Sequence, residues 1–136
     1  MKIVVQGLWH LGSVTAACCA KHFDVVGLDF DAANIAKLNS GHAPLFEPGL
    51  DDLISAGLAV KKLSFTTDAK IACENADILW LCYDTPVNEN DESDVDSVLQ
   101  NLRRALAFLP NGALVLISAQ LSVGTCAKLE KEFPQF

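Results

Sequence analysis

The chain has 136 residues, enough for one domain with a core that needs no disulfide or metal staple. Its residues are 51% hydrophobic and 20% charged, with 10 basic against 17 acidic side chains and a net charge of −7. That composition excludes a disordered tail and low-complexity sequence, and so acidic a surface repels a phosphate backbone, so no nucleic acid is expected as a partner.

Taken in chain order, a strand is predicted over 2–5, where Lys2-Ile3-Val4-Val5 enters the fold at once without the long apolar stretch of a signal peptide. A helix of small residues follows over 12–22, then a strand over 24–28 and a helix over 31–39 capped by Asp31. Glu47-Pro48-Gly49-Leu50-Asp51-Asp52 reads as the start of a helix that Gly57 would end. Beyond it come a weaker strand over 63–66, a short helix over 68–75 and a strand over 78–82. The polar stretch 88–94 reads as a loop. A helix over 94–109 places Val95, Val98, Leu99, Leu102, Leu106 and Leu109 on one stripe, with Arg103 and Arg104 outside it. A strand over 113–117 and a helix over 122–132 complete the chain. The strands are continuously apolar rather than alternating, which is what a parallel sheet covered on both faces requires. The pattern predicts an α/β fold, a Rossmann-like doubly wound parallel sheet of about five strands with helices on both faces. No apolar run approaches the ~20 residues of a membrane span, so no membrane is expected as a partner.

The informative segment is Gly7-Leu8-Trp9-His10-Leu11-Gly12, a glycine turn between the first strand and its helix. Gly7 permits a tight turn, Gly12 lets the helix lie against the strand, and the helix N-terminus offers unpaired N–H groups to a pyrophosphate. Asp29 closes the second strand at about the 20-residue separation at which a carboxylate accepts hydrogen bonds from ribose hydroxyls. Phe30 beside it is no cation for a 2′-phosphate, which favours NAD over NADP. Trp9 stands where the fingerprint has its central glycine, so its side chain must swing away, stack on the cofactor or block it. A fold that packs Trp9 and His10 over the end of the sheet and binds no dinucleotide stays open at this point.

Further segments carry a more specific likeness. Leu38-Asn39-Ser40-Gly41-His42-Ala43-Pro44-Leu45-Phe46-Glu47-Pro48-Gly49-Leu50 resembles the LNxGxxPxxEPGL signature of the UDP-glucose/GDP-mannose dehydrogenase family. Phe65-Thr66-Thr67-Asp68, Ala76-Asp77, Asp84-Thr85-Pro86 and Val123-Gly124-Thr125 are similar to further segments of that family, in order. The resemblance implies oxidation of a sugar-nucleotide C6 alcohol to the carboxylate with two NAD, through a cysteine thiohemiacetal. It implies cofactor contacts at Gly7, Leu8, Trp9, His10, Leu11, Gly12, Asp29, Asn34, Thr85, Pro86 and Gln120. The nucleophile is not carried over. The catalytic cysteine and the sugar-nucleotide site would lie past residue 136, so the chain is expected to be an N-terminal cofactor domain, residues 1–136, inactive alone. It would meet a sugar nucleotide only with the C-terminal part, and a homodimer is the partner expected of the domain itself. Departures from the family pattern are Trp9, Asn34 in place of a basic residue, Asp84 in place of a small one, and Ser118-Ala119-Gln120 in place of Lys-Ser-Thr.

The remaining candidates read as structural. His10, His22 and His42 share no metal-ligand spacing. The five cysteines are odd in number with no CxxC pair, as in a reduced cytoplasmic protein, and Cys18 and Cys19 are expected to be packed in the core rather than to form a redox switch. Asp51-Asp52 reads as helix-start electrostatics and Asp91-Glu92 as a solvated loop. A rival of another class is a non-catalytic module that senses an adenine nucleotide or binds a partner protein.

Overall fold

The computed structural model describes residues 1–84 and 94–136. The elements run β1 (Lys2–Gln6), α1 (His10–Cys19), β2 (Asp24–Leu28), α2 (Ala32–Asn39), α3 (Leu50–Ala59), β3 (Leu63–Thr66), α4 (Ala69–Cys73), β4 (Ile78–Leu81), α5 (Val95–Leu106), β5 (Leu114–Ile117) and α6 (Thr125–Glu132). All pairings are parallel, in the order β3-β2-β1-β4-β5. The predicted doubly wound sheet is what forms. Successive β1 residues feed opposite faces. Ile3 and Val5 pack with Ala16, Ala17, Ile54 and Phe65, whereas Val4 packs with Leu79, Val98, Leu102 and Leu106. The order reverses between β1 and β4, and ligands of such sheets bind in the crevice outside the carboxyl ends of the strands at that switch.

Several helix boundaries correct the sequence reading. The first helix covers His10–Cys19 rather than 12–22, so Gly12 lies inside it and the glycine bend runs straight into the helix. Asp31, Asp68 and Asp94 are N-caps whose carboxylates accept from backbone N–H groups of the first turn. Gly49 and Gly124 cap α3 and α6 at φ 81° and 87°, which leaves Glu47-Pro48 and Ser122-Val123 outside the helices predicted to contain them. Gly57 does not end α3. It is buried inside it, where a Cβ would meet the Leu63 Cβ at 2.9 Å, so its smallness serves the approach of helix to strand. The chain turns instead at Lys61, at φ 58°.

Two of the five cysteines, Cys73 and Cys82, are buried, but Cys18 is exposed and Cys19 half-buried, against the expectation of core packing for that pair. Among the described residues no helix is long and apolar enough to cross a membrane.

Candidate functional site

The site grows from the carboxyl end of β1. Gly7 takes φ 89° and donates its N–H to Leu28 O at 3.0 Å, which ties the bend to the end of β2. A side chain at Gly7 would collide with Tyr83, whose Cγ would be 2.7 Å from the added carbon. At Gly12 the added carbon would stand 1.7 Å from Gly7 O. The two glycines therefore serve each other: the helix backbone rests on the bend, as a close helix–strand approach demands.

Asp29 does more than the sequence reading assigned to it. Its Oδ2 accepts the Leu8 N–H at 2.7 Å and its Oδ1 accepts the Asp31 N–H at 3.0 Å. One carboxylate thus braces the bend and the entry to α2, with its remaining lone pairs available to further donors. Asn34 Nδ2 donates to Leu8 O at 3.0 Å, so Asn34 also shapes the bend. The Ser13 hydroxyl shares its proton between Leu8 O at 2.8 Å and Trp9 O at 2.5 Å.

The first bond inside α1 runs from Ser13 N–H to Trp9 O, leaving the N–H groups of His10, Leu11 and Gly12 without partners in the helix. They form a partial positive charge beside the bend, suited to a diphosphate. Trp9 is half exposed, at 50%, with φ −76°. Leu8 is buried, Leu11 is exposed, and His10 Nε2 meets Glu47 Oε2 at 3.1 Å. That contact joins the helix start to the Glu-Pro-Gly-Leu segment, which the sequence reading kept apart.

Thr85 and Pro86 lie outside the described residues, as do Asp91-Glu92 and most of the predicted loop. Gln120 is exposed and follows β5, the strand paired to β4. Asp84 is exposed. Among the described residues no three His, Cys, Asp or Glu groups are placed to hold a metal.

Residues missed by the sequence reading come from the end of β1, the segment just after β4 and α5. Tyr83 stands against Gly7, and its hydroxyl is buried near the Gln6 amide, yet neither that hydroxyl nor Gln6 Oε1 completes a hydrogen bond. Burial pushes the Tyr83 pKa up and the Asp29 charge acts in the same direction, against the smaller pull of the Arg104 charge. Tyr83 therefore stays a neutral phenol. Gln6 Nε2 donates to Asn101 O at 2.8 Å, holding α5 level with the end of β1. A polar side chain closing an apolar strand, as Gln6 does, is the one signal in sequence that could have pointed to this layer.

These features (a glycine bend, a helix start with free N–H groups, and a carboxylate at the end of β2) make a cradle for a dinucleotide. The profile of the UDP-glucose/GDP-mannose dehydrogenase family, NAD binding domain, matches residues 1–135. The chain belongs to that family. It is 38% identical over 133 residues to GDP-mannose 6-dehydrogenase of Pseudomonas syringae pv. tomato, covering 95% of this chain and 30% of that protein. Against UDP-glucose 6-dehydrogenase of Rhizobium meliloti it is 34% identical over 133 residues, covering 96% of this chain and 30% of the relative. A solved UDP-D-ManNAc dehydrogenase from Pyrococcus horikoshii superposes with a TM-score of 0.89 at 31% identity, over 97% of this chain and 31% of that one. The chain thus spans about 30% of the length of the curated relatives it matches, and it corresponds to their NAD-binding part.

Proposed function

We propose that this chain is the NAD-holding unit of a nucleotide-sugar 6-dehydrogenase and works in company with a segment that supplies the cysteine nucleophile and the sugar-nucleotide site. NAD, when bound, supplies the hydride acceptor for oxidation of an alcohol. The residues present fit it. Gly7 and Gly12 let the start of α1 close onto the bend, the first N–H groups of α1 face a diphosphate, and Asp29 takes ribose hydroxyls. Asn34, Ser13 and Leu8 hold the bend in shape, while Thr85 and Pro86 are assigned to the nicotinamide side by their place in the family motif. Gln120, in the segment after β5, is likewise assigned by its place in the family motif. Cytoplasmic location, a homodimer and a role in polysaccharide biosynthesis go with this reading.

The observation that carries the proposal is the Asp29 carboxylate bonded to the Leu8 N–H at 2.7 Å, because it builds the bend and the ribose acceptor from one group. Calorimetry with millimolar NAD tests it. Heat of binding is expected from the unmodified chain, and a loss of at least tenfold in affinity from Asp29→Ala, since a hydrogen bond to a charged group is worth about 1.5–3 kcal/mol. Absence of heat in the unmodified chain would refute the reading. Equal responses to NAD, ADP and AMP in Trp9 and Trp80 fluorescence would favour the adenine-nucleotide sensor instead.

A further inference from the structure

Sequence reading finds no cation next to Asp29, because the residue that follows is Phe30. The fold supplies one from 75 residues away along the chain. The Arg104 guanidinium carbon lies 3.4 Å from the centre of the Phe30 ring. Its Nη1 also donates to Asn101 Oδ1 at 3.3 Å, and Asn101 is the residue whose carbonyl receives the Gln6 amide. Arg104 is therefore fixed to the layer at the carboxyl end of β1, and not merely set on a solvent-facing helix. Phe30 directly follows Asp29 in the chain, so the Arg104–Phe30 contact places the cation next to the end of β2. Arg104 itself is exposed and Phe30 half-buried. The cation sits over the Phe30 ring while the arginine as a whole remains exposed.

We infer that Arg104 is the stacking partner of the adenine ring of the bound dinucleotide and, with Phe30, sets the preference for that base. This rests on the dinucleotide reading of the site. Phe30 directly follows Asp29, so a ribose held by the Asp29 carboxylate has the Phe30–Arg104 pair as a neighbour onto which its base can be laid. A guanidinium stacks on aromatic faces by dispersion and by attraction to the ring's π cloud. A base slid onto the outer face makes a layered stack of Phe30, Arg104 and adenine. A lysine has no such plane.

Titration of the 136-residue chain with NAD, ADP-ribose and NADP, in unmodified, Arg104→Ala and Arg104→Lys forms, tests the assignment. Both variants are expected to bind NAD and ADP-ribose about tenfold more weakly, the scale of losing one base-stacking partner, with melting temperatures lowered by only a few degrees for loss of the Phe30 contact. Full affinity in Arg104→Lys would overturn the stacking role and leave only a charge effect. NADP binding as tight as NAD, lost in Arg104→Ala, would overturn it in favour of a 2′-phosphate contact. Unchanged affinities in both variants would overturn the role of Arg104 while leaving the NAD site intact. Failure of the unmodified chain to bind NAD or ADP-ribose would instead overturn the dinucleotide reading, and the inference with it.

Discussion

Replacing Gly12 by Ala tests how tightly the bend and the first helix are fitted. The new methyl carbon would stand 1.7 Å from Gly7 O and 2.8 Å from Gly7 C, where ordinary contact begins at about 3.5 Å. Both obstacles are backbone, so no side chain can rotate away and the start of α1 must lift by roughly 1.5 Å. Ala16, Ala17 and Ala20 hold α1 on the sheet, and lifting it opens their packing. Overpacking of this kind costs about 3 kcal/mol, and the better helix propensity of Ala returns up to about 1 kcal/mol. The net loss of about 2–3 kcal/mol corresponds to a fall in melting temperature of about 10 °C for a domain of this size. NAD affinity is expected to fall further than stability, because the N–H groups of α1 move away from the bend that would seat the diphosphate. Circular dichroism melts and NAD titration read the two effects separately. A variant that melts within about 2 °C of the parent and binds NAD equally well would refute the close-approach argument.

Other expectations follow from the same geometry. Trp9→Gly removes a half-exposed indole beside the bend and is expected to raise NAD affinity severalfold in calorimetry, since the ring contributes nothing to the core. Asp51 accepts from the Ala43 N–H and pairs with His42, and these bonds hold its carboxyl below the usual 3.8. A depressed carboxylate contributes stability above its unfolded value that fades as pH falls through the folded one, so Asp51→Asn should flatten the loss of melting temperature seen on acidification below about pH 4. Burial pushes the Cys73 and Cys82 thiols up to about 11, while Cys18 and Cys126 are exposed. Mass spectrometry after brief iodoacetamide treatment at neutral pH should find Cys18 and Cys126 alkylated, and Cys73 and Cys82 modified only on unfolding.

The strands were legible because each is a continuous apolar run bounded by polar or small residues, and a sheet covered on both faces leaves that mark in sequence. Helix starts were less so. Gly49 and Gly124 cap in the left-handed region, and a sequence cannot show whether a glycine there ends a loop or lies within the first turn. Gly57 misled for the opposite reason: its role is contact with Leu63, which depends on a strand formed later in the chain. The glycine bend and Asp29 were legible as a site because their spacing is local and fixed by one strand–helix–strand unit. Tyr83, Asn101 and Arg104 were not. They reach the bend only once β4 has paired with β1 and α5 has packed across the switch point, and no local pattern encodes that meeting.

Trp9 shows why a fingerprint can lose its middle glycine without losing its fold. That position has φ −76° and ψ −135°, so unlike Gly7 it does not call for a left-handed φ, and the glycine of the usual pattern gives the space a diphosphate needs. Gly7 differs, because φ 89° and the Tyr83 side chain both exclude a larger residue. Gly12 differs again, since Gly7 O fills the place of its Cβ. Gly7 and Gly12 thus each have a steric reason to lack a side chain, whereas position 9 has a negative φ and carries a half-exposed indole. The bend itself is kept in shape by Asp29, Asn34 and Ser13 acting on Leu8 and Trp9, none of which depends on what side chain position 9 carries. An indole turned to solvent therefore leaves the cradle standing, and its effect falls on how closely the phosphates can approach.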